Sequence, residues 1–379
     1  MSKKKVLFVI ESFVLGGAEK VLIDIANNLS PERFDVTVCS IFKRSVYPSC
    51  PAITDNPFLP HVHFRWLVNN EYSLLYVIFN FWVNRIPSFL YKLLIGDNYD
   101  VVVAFYEGFP TWFIAQVNLD SHMKIAWLHT STELSQKGKT LIDLRKQENG
   151  YQSYNKIVGV SQGVSHSFKN LFPSLSAKVN VVYNPIDTLK IVNMAKEPIE
   201  LTKPSCPLFV SVGRMTAVKG YDRYMHVVRR LVEDGFDFEV WIIGGGDRMD
   251  LEQYCKENNL NNVCFLGNRA NPYPYMKMAD CVISSSYIEG LSTVIIEGLT
   301  LGKCVVATDC NGTAEIIGAH SEYGILVDNS QEGLYEGMKR ILTNSSLKGV
   351  YEQKAIERAQ FFDVNNSISR IEALLEGGC

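Results

Sequence analysis

Short apolar runs rich in β-branched residues recur along the chain, and amphipathic segments separate them. In the first half such runs predict strands at 6–10, 35–39, 100–104, 124–128, 156–160 and 179–182. A second series follows at 208–212, 240–243, 263–266, 281–284, 303–307 and 324–327. Strands that are apolar throughout and alternate with helices are the signature of parallel sheets covered on both faces. The pattern therefore predicts two α/β halves. Polar sequence from Ile186 to Cys206, broken by Pro198 and Pro204, reads as the connection between them. Beyond the last strand, Gln331–Thr343, Leu347–Phe362 and Asn365–Glu376 carry helical patterns.

Composition agrees with this picture and narrows it. At 379 residues and 47% hydrophobic the chain is longer than one core usually holds. A formal net charge of -3 leaves no basic surface of the kind that binds nucleic acid. The nine cysteines are odd in number and never form a Cys-x-x-Cys pair, which argues against a disulfide framework or a zinc site. The apolar run after Lys3-Lys4-Lys5 stops at Glu11, too short for a signal-peptide core, so a cytoplasmic protein is expected.

One segment, Tyr72 to Ile95, is crowded with aromatic residues yet interrupted by Asn80, Asn84, Arg85 and Pro87, so it is not a spanning helix. Two readings stand: a core helix with its loop, or an interfacial patch that meets a membrane or a lipid-linked substrate.

Ligands of parallel α/β folds bind at the carboxyl ends of the strands, so the chemistry is sought in the strand-exit loops. The first exit carries Gly16 and Gly17 at a helix entry, where missing side chains and free amides suit a phosphate or simply a tight turn. The exit at Gly213 to Asp222 places Arg214 and Lys219 in one loop, a guanidinium and an ammonium fit to clamp a diphosphate. Gly244-Gly245-Gly246 implies close approach to the backbone, or a flexible strand end. Phe265-Leu-Gly-Asn-Arg269 offers a small residue flanked by polar ones, with Asn268 a seat for a nucleobase edge. In Ser286-Tyr-Ile-Glu-Gly-Leu-Ser-Thr-Val-Ile-Ile-Glu297, Ser292 or Thr293 caps a helix and a carboxylate stands on either side of the cap. Free amides there suit a diphosphate, leaving Glu289 and Glu297 for hydroxyls at its two ends, as in a sugar nucleotide.

Taken in order, Gly16-Gly-Ala-Glu19, Trp127-Leu-His129, Val160-Ser161, Asn184-Pro-Ile-Asp187, Gly213-Arg214 with Lys219-Gly220, Gly244-Gly-Gly246, and Glu289 with Glu297 resemble the family-4 (GT4) retaining glycosyltransferases. The resemblance covers nearly the whole chain and implies a GT-B fold, two facing Rossmann-like domains with a cleft between them. It implies an acceptor-binding domain over 1–190, a donor-binding domain over 191–362, and a last helix over 363–379 that returns to the first domain. It also implies roles. Glu297 would bind the ribose hydroxyls, Arg214 and Lys219 the diphosphate, and Gly16 and Gly17 the phosphate from the opposite domain. Glu289 and the loop Gly290, Leu291, Ser292 and Thr293 would hold the donor sugar, with His129 beside the reacting carbon.

The expectation is a hexosyltransferase-type enzyme that moves a sugar with retention from a nucleotide donor, UDP-sugar foremost, to a glycan hydroxyl. A lipid-linked glycan of capsule, O-antigen or similar surface polysaccharide suits the aromatic segment, with contact at the inner face of the cell membrane. No Asp-x-Asp pair occurs, so no metal and no cofactor beyond the co-substrate are expected. Two alternatives remain: a nucleotide-sugar 2-epimerase on the same fold, and a non-catalytic nucleotide-sugar binding protein.

Overall fold

The computed structural model describes residues 2–12, 17–42, 63–68, 81–96, 98–119, 122–132 and 141–378. The chain divides into two compact units, Met1–Pro185 with Val364–Cys379, and Ile186–Asp363.

The first unit holds a parallel sheet of β1 (Lys4–Ser12), β2 (Phe34–Phe42), β3 (His63–Val68), β4 (Val101–Ala104), β5 (Met123–Leu128), β6 (Lys156–Gly159) and β7 (Val179–Val181). Its order is β3-β2-β1-β4-β5-β6-β7, so the direction of winding reverses between β1 and β4. Val6 to Val9 and Val101 to Ala104 are all fully buried. That is why these runs show no polar alternation: both faces of the sheet are covered, and each large side chain withdrawn from water contributes roughly 1.5–3 kcal/mol.

The last helix, Val364–Leu375, belongs to this unit and lies against the helix Gly17–Asn28. Ile371, Leu374 and Leu375 are buried, and Glu372 accepts hydrogen bonds from the Ser30 amide (2.9 Å) and Arg33 (2.5 Å). The half-exposed Arg33 ion pairs add little, so the apolar face carries the docking.

The second unit repeats the plan with β8 (Leu208–Val212), β9 (Glu239–Ile243), β10 (Val263–Gly267), β11 (Cys281–Ser284), β12 (Cys304–Thr308) and β13 (Ile325–Val327), all parallel. Here the order is β10-β9-β8-β11-β12-β13 and the reversal falls between β8 and β11. The helices Tyr221–Glu233 and Gln331–Thr343 pack together over the sheet through Tyr224, Val228, Leu334 and Met338.

Two elements depart from the expectation. The strand β3 was not foreseen, because His63 and Arg65 interrupt its apolar residues and leave only Trp66 to Val68 as a run. The supposed connecting segment after Ile186 contains the helix Thr188–Met194, capped by Asp187, whose side chain accepts from the Lys190 amide at 2.8 Å. Asn271 donates to the Met194 carbonyl (2.8 Å) and so ties this helix into the second unit. The chain accordingly passes between units at Pro185–Ile186, slightly ahead of the expected break after residue 190.

Candidate functional site

In the second unit the exits of β8 and β11, the strands flanking the reversal, are stitched to one another. The β8 exit runs through Arg214 to a single 3-10 turn, Ala217–Lys219, and then Gly220, whose left-handed backbone (φ 65°) starts the helix Tyr221–Glu233. A Cβ on Gly220 would stand 2.2 Å from the Ser285 carbonyl oxygen, so only glycine admits this approach. From the other side, the Ser285 hydroxyl donates to the Lys219 carbonyl and the Tyr287 amide to the Val218 carbonyl, both at 2.8 Å.

Beneath the two loops lies Arg223, only 4% exposed. Its Nε and Nη2 donate to the Ser285 carbonyl (2.9 and 2.6 Å), and Nη2 also to the Ser286 carbonyl (2.7 Å). Thr308 Oγ1 (2.6 Å) and Cys310 Sγ (3.0 Å), at the exit of β12, donate to the same Ser286 carbonyl. Buried polar networks of this kind hold one geometry because any other leaves a donor or acceptor unpaired. The geometry held here brings Lys219 Nζ to 2.6 Å from Glu289 Oε1, which also accepts from Ser286 Oγ at 2.7 Å. A space of about 10 Å³, enough for about one water, is left beside them, lined by Ser211, Tyr221, Ser284 and Ser292 among others.

Glu297 sits in the helix Thr293–Thr300 and is 3% exposed, with Tyr273 Oη donating to its Oε1 at 3.5 Å. Ser292 is the N-cap without a side-chain cap bond, so the first amides of this helix are not closed off by their own cap. Gly290, Leu291 and Ser292 are buried and Thr293 half-buried. Gly312 allows the Gly290 carbonyl to come where a Cβ would be 2.1 Å away, which packs the Glu289 loop against the exit of β12.

The glycine run after β9 has a different explanation from the one its composition invites. A Cβ on Gly244 would lie 1.8 Å from the Gly213 carbonyl oxygen, and one on Gly246 would lie 3.0 Å from that of Met215. What comes close to these glycines is the chain's own β8 exit, joined by Gly213 N to Ile243 O and Met215 N to Gly245 O (2.9 and 2.8 Å). Their effect is to seat the loop carrying Arg214, which is half-buried. Asn268 is exposed just after β10, where Gly267 turns with φ 69°. A larger hollow of about 610 Å³ adjoins the turn Ala217–Lys219, but its charged lining is Asp222, Asp247 and Asp250. Three carboxylates suit a diphosphate poorly.

In the first unit His129 follows β5 and is buried. Its ring lies 4.8 Å from that of Phe105 and 5.9 Å from that of Tyr106. Burial pushes its pKa down to about 3 against a hydrogen bond to the Phe105 backbone that acts the other way. The imidazole is thus neutral at ordinary pH. Its Nε2 is enclosed and has no hydrogen-bond partner among the described residues. Gly17 opens the helix Gly17–Asn28 and is exposed; Gly16 lies outside the described residues.

Two residues escaped the sequence reading. Arg223 is a cation in the first turn of the helix Tyr221–Glu233, and nothing in its spacing marks it as buried. Glu107, at the exit of β4, accepts from the amides of His129 (2.6 Å) and Thr130 (2.7 Å) and from Thr130 Oγ1 (3.2 Å). Burial raises its carboxyl above the ordinary range, although these bonds oppose the shift. The strand-exit rule, extended to β4, would have flagged it as a carboxylate beside the reversal point.

Comparison with known proteins gives two family profiles. The one described as Glycosyltransferase Family 4 matches residues 15–190, and the one described as Glycosyl transferases group 1 matches residues 194–359. Over 216 residues the chain is 32% identical to the N-acetylgalactosamine-N,N'-diacetylbacillosaminyl-diphospho-undecaprenol 4-alpha-N-acetylgalactosaminyltransferase of Campylobacter jejuni, covering 56% of this chain and 58% of that one. An uncharacterized glycosyltransferase of Haemophilus influenzae is 23% identical over 98% of this chain and 100% of its own length. The matches span less than two thirds of the first curated relatives, 64% and 58% of their lengths. Among solved structures, Anabaena Alr3699/HepE in complex with UDP and glucose superposes with a TM-score of 0.78 at 21% identity, covering 99% of this chain and 100% of that one.

Proposed function

The chain belongs to the family-4 glycosyltransferases of GT-B fold, and we propose that it moves a sugar from a UDP-sugar to a hydroxyl of a lipid-linked glycan, with retention at the anomeric carbon. The observation that carries the reading is the meeting of Lys219 and Glu289 at the reversal point of the second unit, beside the helix that holds Glu297. The choice of UDP is supported by the solved relative that carries UDP and glucose. A lipid-linked acceptor is supported by the Campylobacter relative, whose name specifies a diphospho-undecaprenol glycan.

In this reading Glu297 accepts the ribose hydroxyls, and Arg214, Lys219 and the amino end of Thr293–Thr300 meet the charge that grows on the leaving diphosphate. The bond from the anomeric carbon to the phosphate oxygen breaks, the bond to the acceptor oxygen forms on the same face, and the acceptor proton passes to the departing phosphate. His129 takes no proton in this scheme. With a pKa near 3 it is too weak a base, and its lone pair is suited to accept a hydrogen bond from a sugar hydroxyl. Charge stabilisation comes from side chains and the helix end, so the reaction runs without a divalent ion.

The acceptor side of the proposal draws on Phe81, Trp82, Ile86, Phe89 and Leu93, all exposed around Arg85 and Lys92. Aromatic and aliphatic side chains interleaved with cations suit the inner face of a membrane with anionic lipid. The neighbouring stretch from Tyr72 to Asn80 lies outside the described residues. No helix among the described residues is long and apolar enough to cross a membrane.

The test is UDP release by the intact protein from UDP-glucose, UDP-galactose, UDP-N-acetylglucosamine and UDP-N-acetylgalactosamine, with and without a bacterial lipid extract, in EDTA. Release from one donor, increased by the lipid and giving an axial linkage from an axial donor by NMR, is expected. A strict need for magnesium or an inverted linkage would contradict the proposed chemistry.

A further inference from the structure

We propose that the open hollow beside the turn Ala217–Lys219 binds a linear aliphatic polyamine, a role that does not depend on the sugar-transfer reading. The hollow lies wholly within the second unit and measures about 610 Å³, in the range of small-molecule sites. Most of its lining is apolar. Met215 and Tyr221 are buried in it, and Val218, Leu251 and Tyr287 also face it. Its charge is all of one sign. Asp222 stands in the first turn of the helix Tyr221–Glu233, and Asp247 and Asp250 stand at the start of the helix Met249–Glu257, which packs against the first. No lysine, arginine or histidine lines the hollow.

Carboxylates at helix starts are ordinary partners of the free amides there, and Asp247 does accept from the Met249 amide at 3.0 Å. That role explains each residue singly, but not three of them around one apolar hollow that no cation lines. The chemistry of the lining selects the occupant. Anions are repelled. A metal ion needs its ligands in one coordination sphere, and among the described residues no group of three or more acidic, histidine or cysteine side chains could hold one. A ligand whose ammonium groups are separated by methylene spacers meets both demands: its charges reach carboxylates on two helices, and its hydrocarbon covers Met215, Val218 and Leu251. Tyr287 adds a ring beside one of the carboxylates, since its hydroxyl donates to Asp222 at 3.0 Å, and an ammonium can rest against both.

The test is calorimetric titration of the intact protein with spermidine at low ionic strength, repeated with the double variant Asp247→Asn, Asp250→Asn and with Asp222→Asn. Asparagine still accepts from the Met249 amide and from Tyr287 Oη, so each change removes charge while keeping the local hydrogen bonds. The two variants alter different helices, and urea unfolding shows that each is folded, so either one suffices if the other is not. Saturable binding at one site is expected in the wild type, about tenfold weaker in the double variant and about threefold weaker in Asp222→Asn. No saturable binding by the wild type would overturn the site. Equal affinity in the wild type and the folded variants would overturn it too, since spermidine would then be held elsewhere. Binding abolished by an equal concentration of magnesium would do the same, because it would mark a diffuse counterion effect rather than a shaped site.

Discussion

Each unit reverses its winding at one point, between β1 and β4 in the first and between β8 and β11 in the second, yet the loops at the two points carry opposite chemistry. In the first unit the exits of β4 and β5 present uncharged or enclosed acceptors, His129 and Glu107, set among aromatic rings. In the second, the exits of β8, β11 and β12 present a charged pair, Lys219 and Glu289, held by a buried network centred on Arg223. The lesson is that the fold supplies only the position. Which chemistry a loop can meet depends on whether it offers rings and lone pairs or cations and helix amides.

The comparison is most strongly tested at Arg223. If the second unit owes its loop geometry to that guanidinium, Arg223→Met leaves the Ser285 carbonyl without its donors and should cost about 3 kcal/mol of stability. Urea unfolding of the intact protein reads this, and a loss under about 0.5 kcal/mol would show that the loops hold themselves. Glu297→Ala should weaken UDP binding roughly tenfold to a hundredfold, about 1.5–3 kcal/mol, through loss of a charged acceptor for the ribose. A folded variant with unchanged UDP affinity would take the ribose role away.

Acid should distinguish the units. His129 has a folded pKa of about 3, below its unfolded value of about 6.5. Its contribution is therefore intact above pH 6.5 and is lost as pH falls from there toward 3, because only the unfolded chain takes up the proton. Between pH 7 and pH 5 this amounts to about 2 kcal/mol, and His129→Gln should remove that much of the pH dependence of urea unfolding. Identical slopes for the two proteins would mean that the imidazole is not held neutral. The smallest effect is expected at the ion pair. Glu289→Gln frees Lys219 for the diphosphate, so UDP should bind about threefold more tightly while sugar transfer falls. Weaker UDP binding would show that Glu289 instead aids the nucleotide.

The sheets were legible because both faces of every inner strand are covered, which writes runs such as Val6 to Ile10 and Val101 to Ala104 directly into the chain. The edge strand β3 lacked that imprint, and Thr188–Met194 was concealed by flanking prolines. Among site residues, Lys219, Glu289 and Glu297 could be found from strand-exit logic and spacing. Their mutual bond could not, since it depends on the Gly220–Ser285 approach and on Arg223, contacts between loops far apart in sequence. At Gly244 the close approach was legible but not its partner, which is the Gly213 carbonyl of the same unit. Glu107 was passed over because a single carboxylate after an aromatic pair carries no motif. Its meaning emerges only with the His129 loop folded onto it.

The most direct test of the account is calorimetric titration of the wild-type protein with UDP, GDP and ADP, each in magnesium and in EDTA. Selective UDP binding of equal strength in both buffers is predicted by the proposed reading, in which Arg214, Lys219 and the amino end of Thr293–Thr300 meet the diphosphate charge without a metal. Preference for GDP or ADP, or binding that disappears in EDTA, would contradict it.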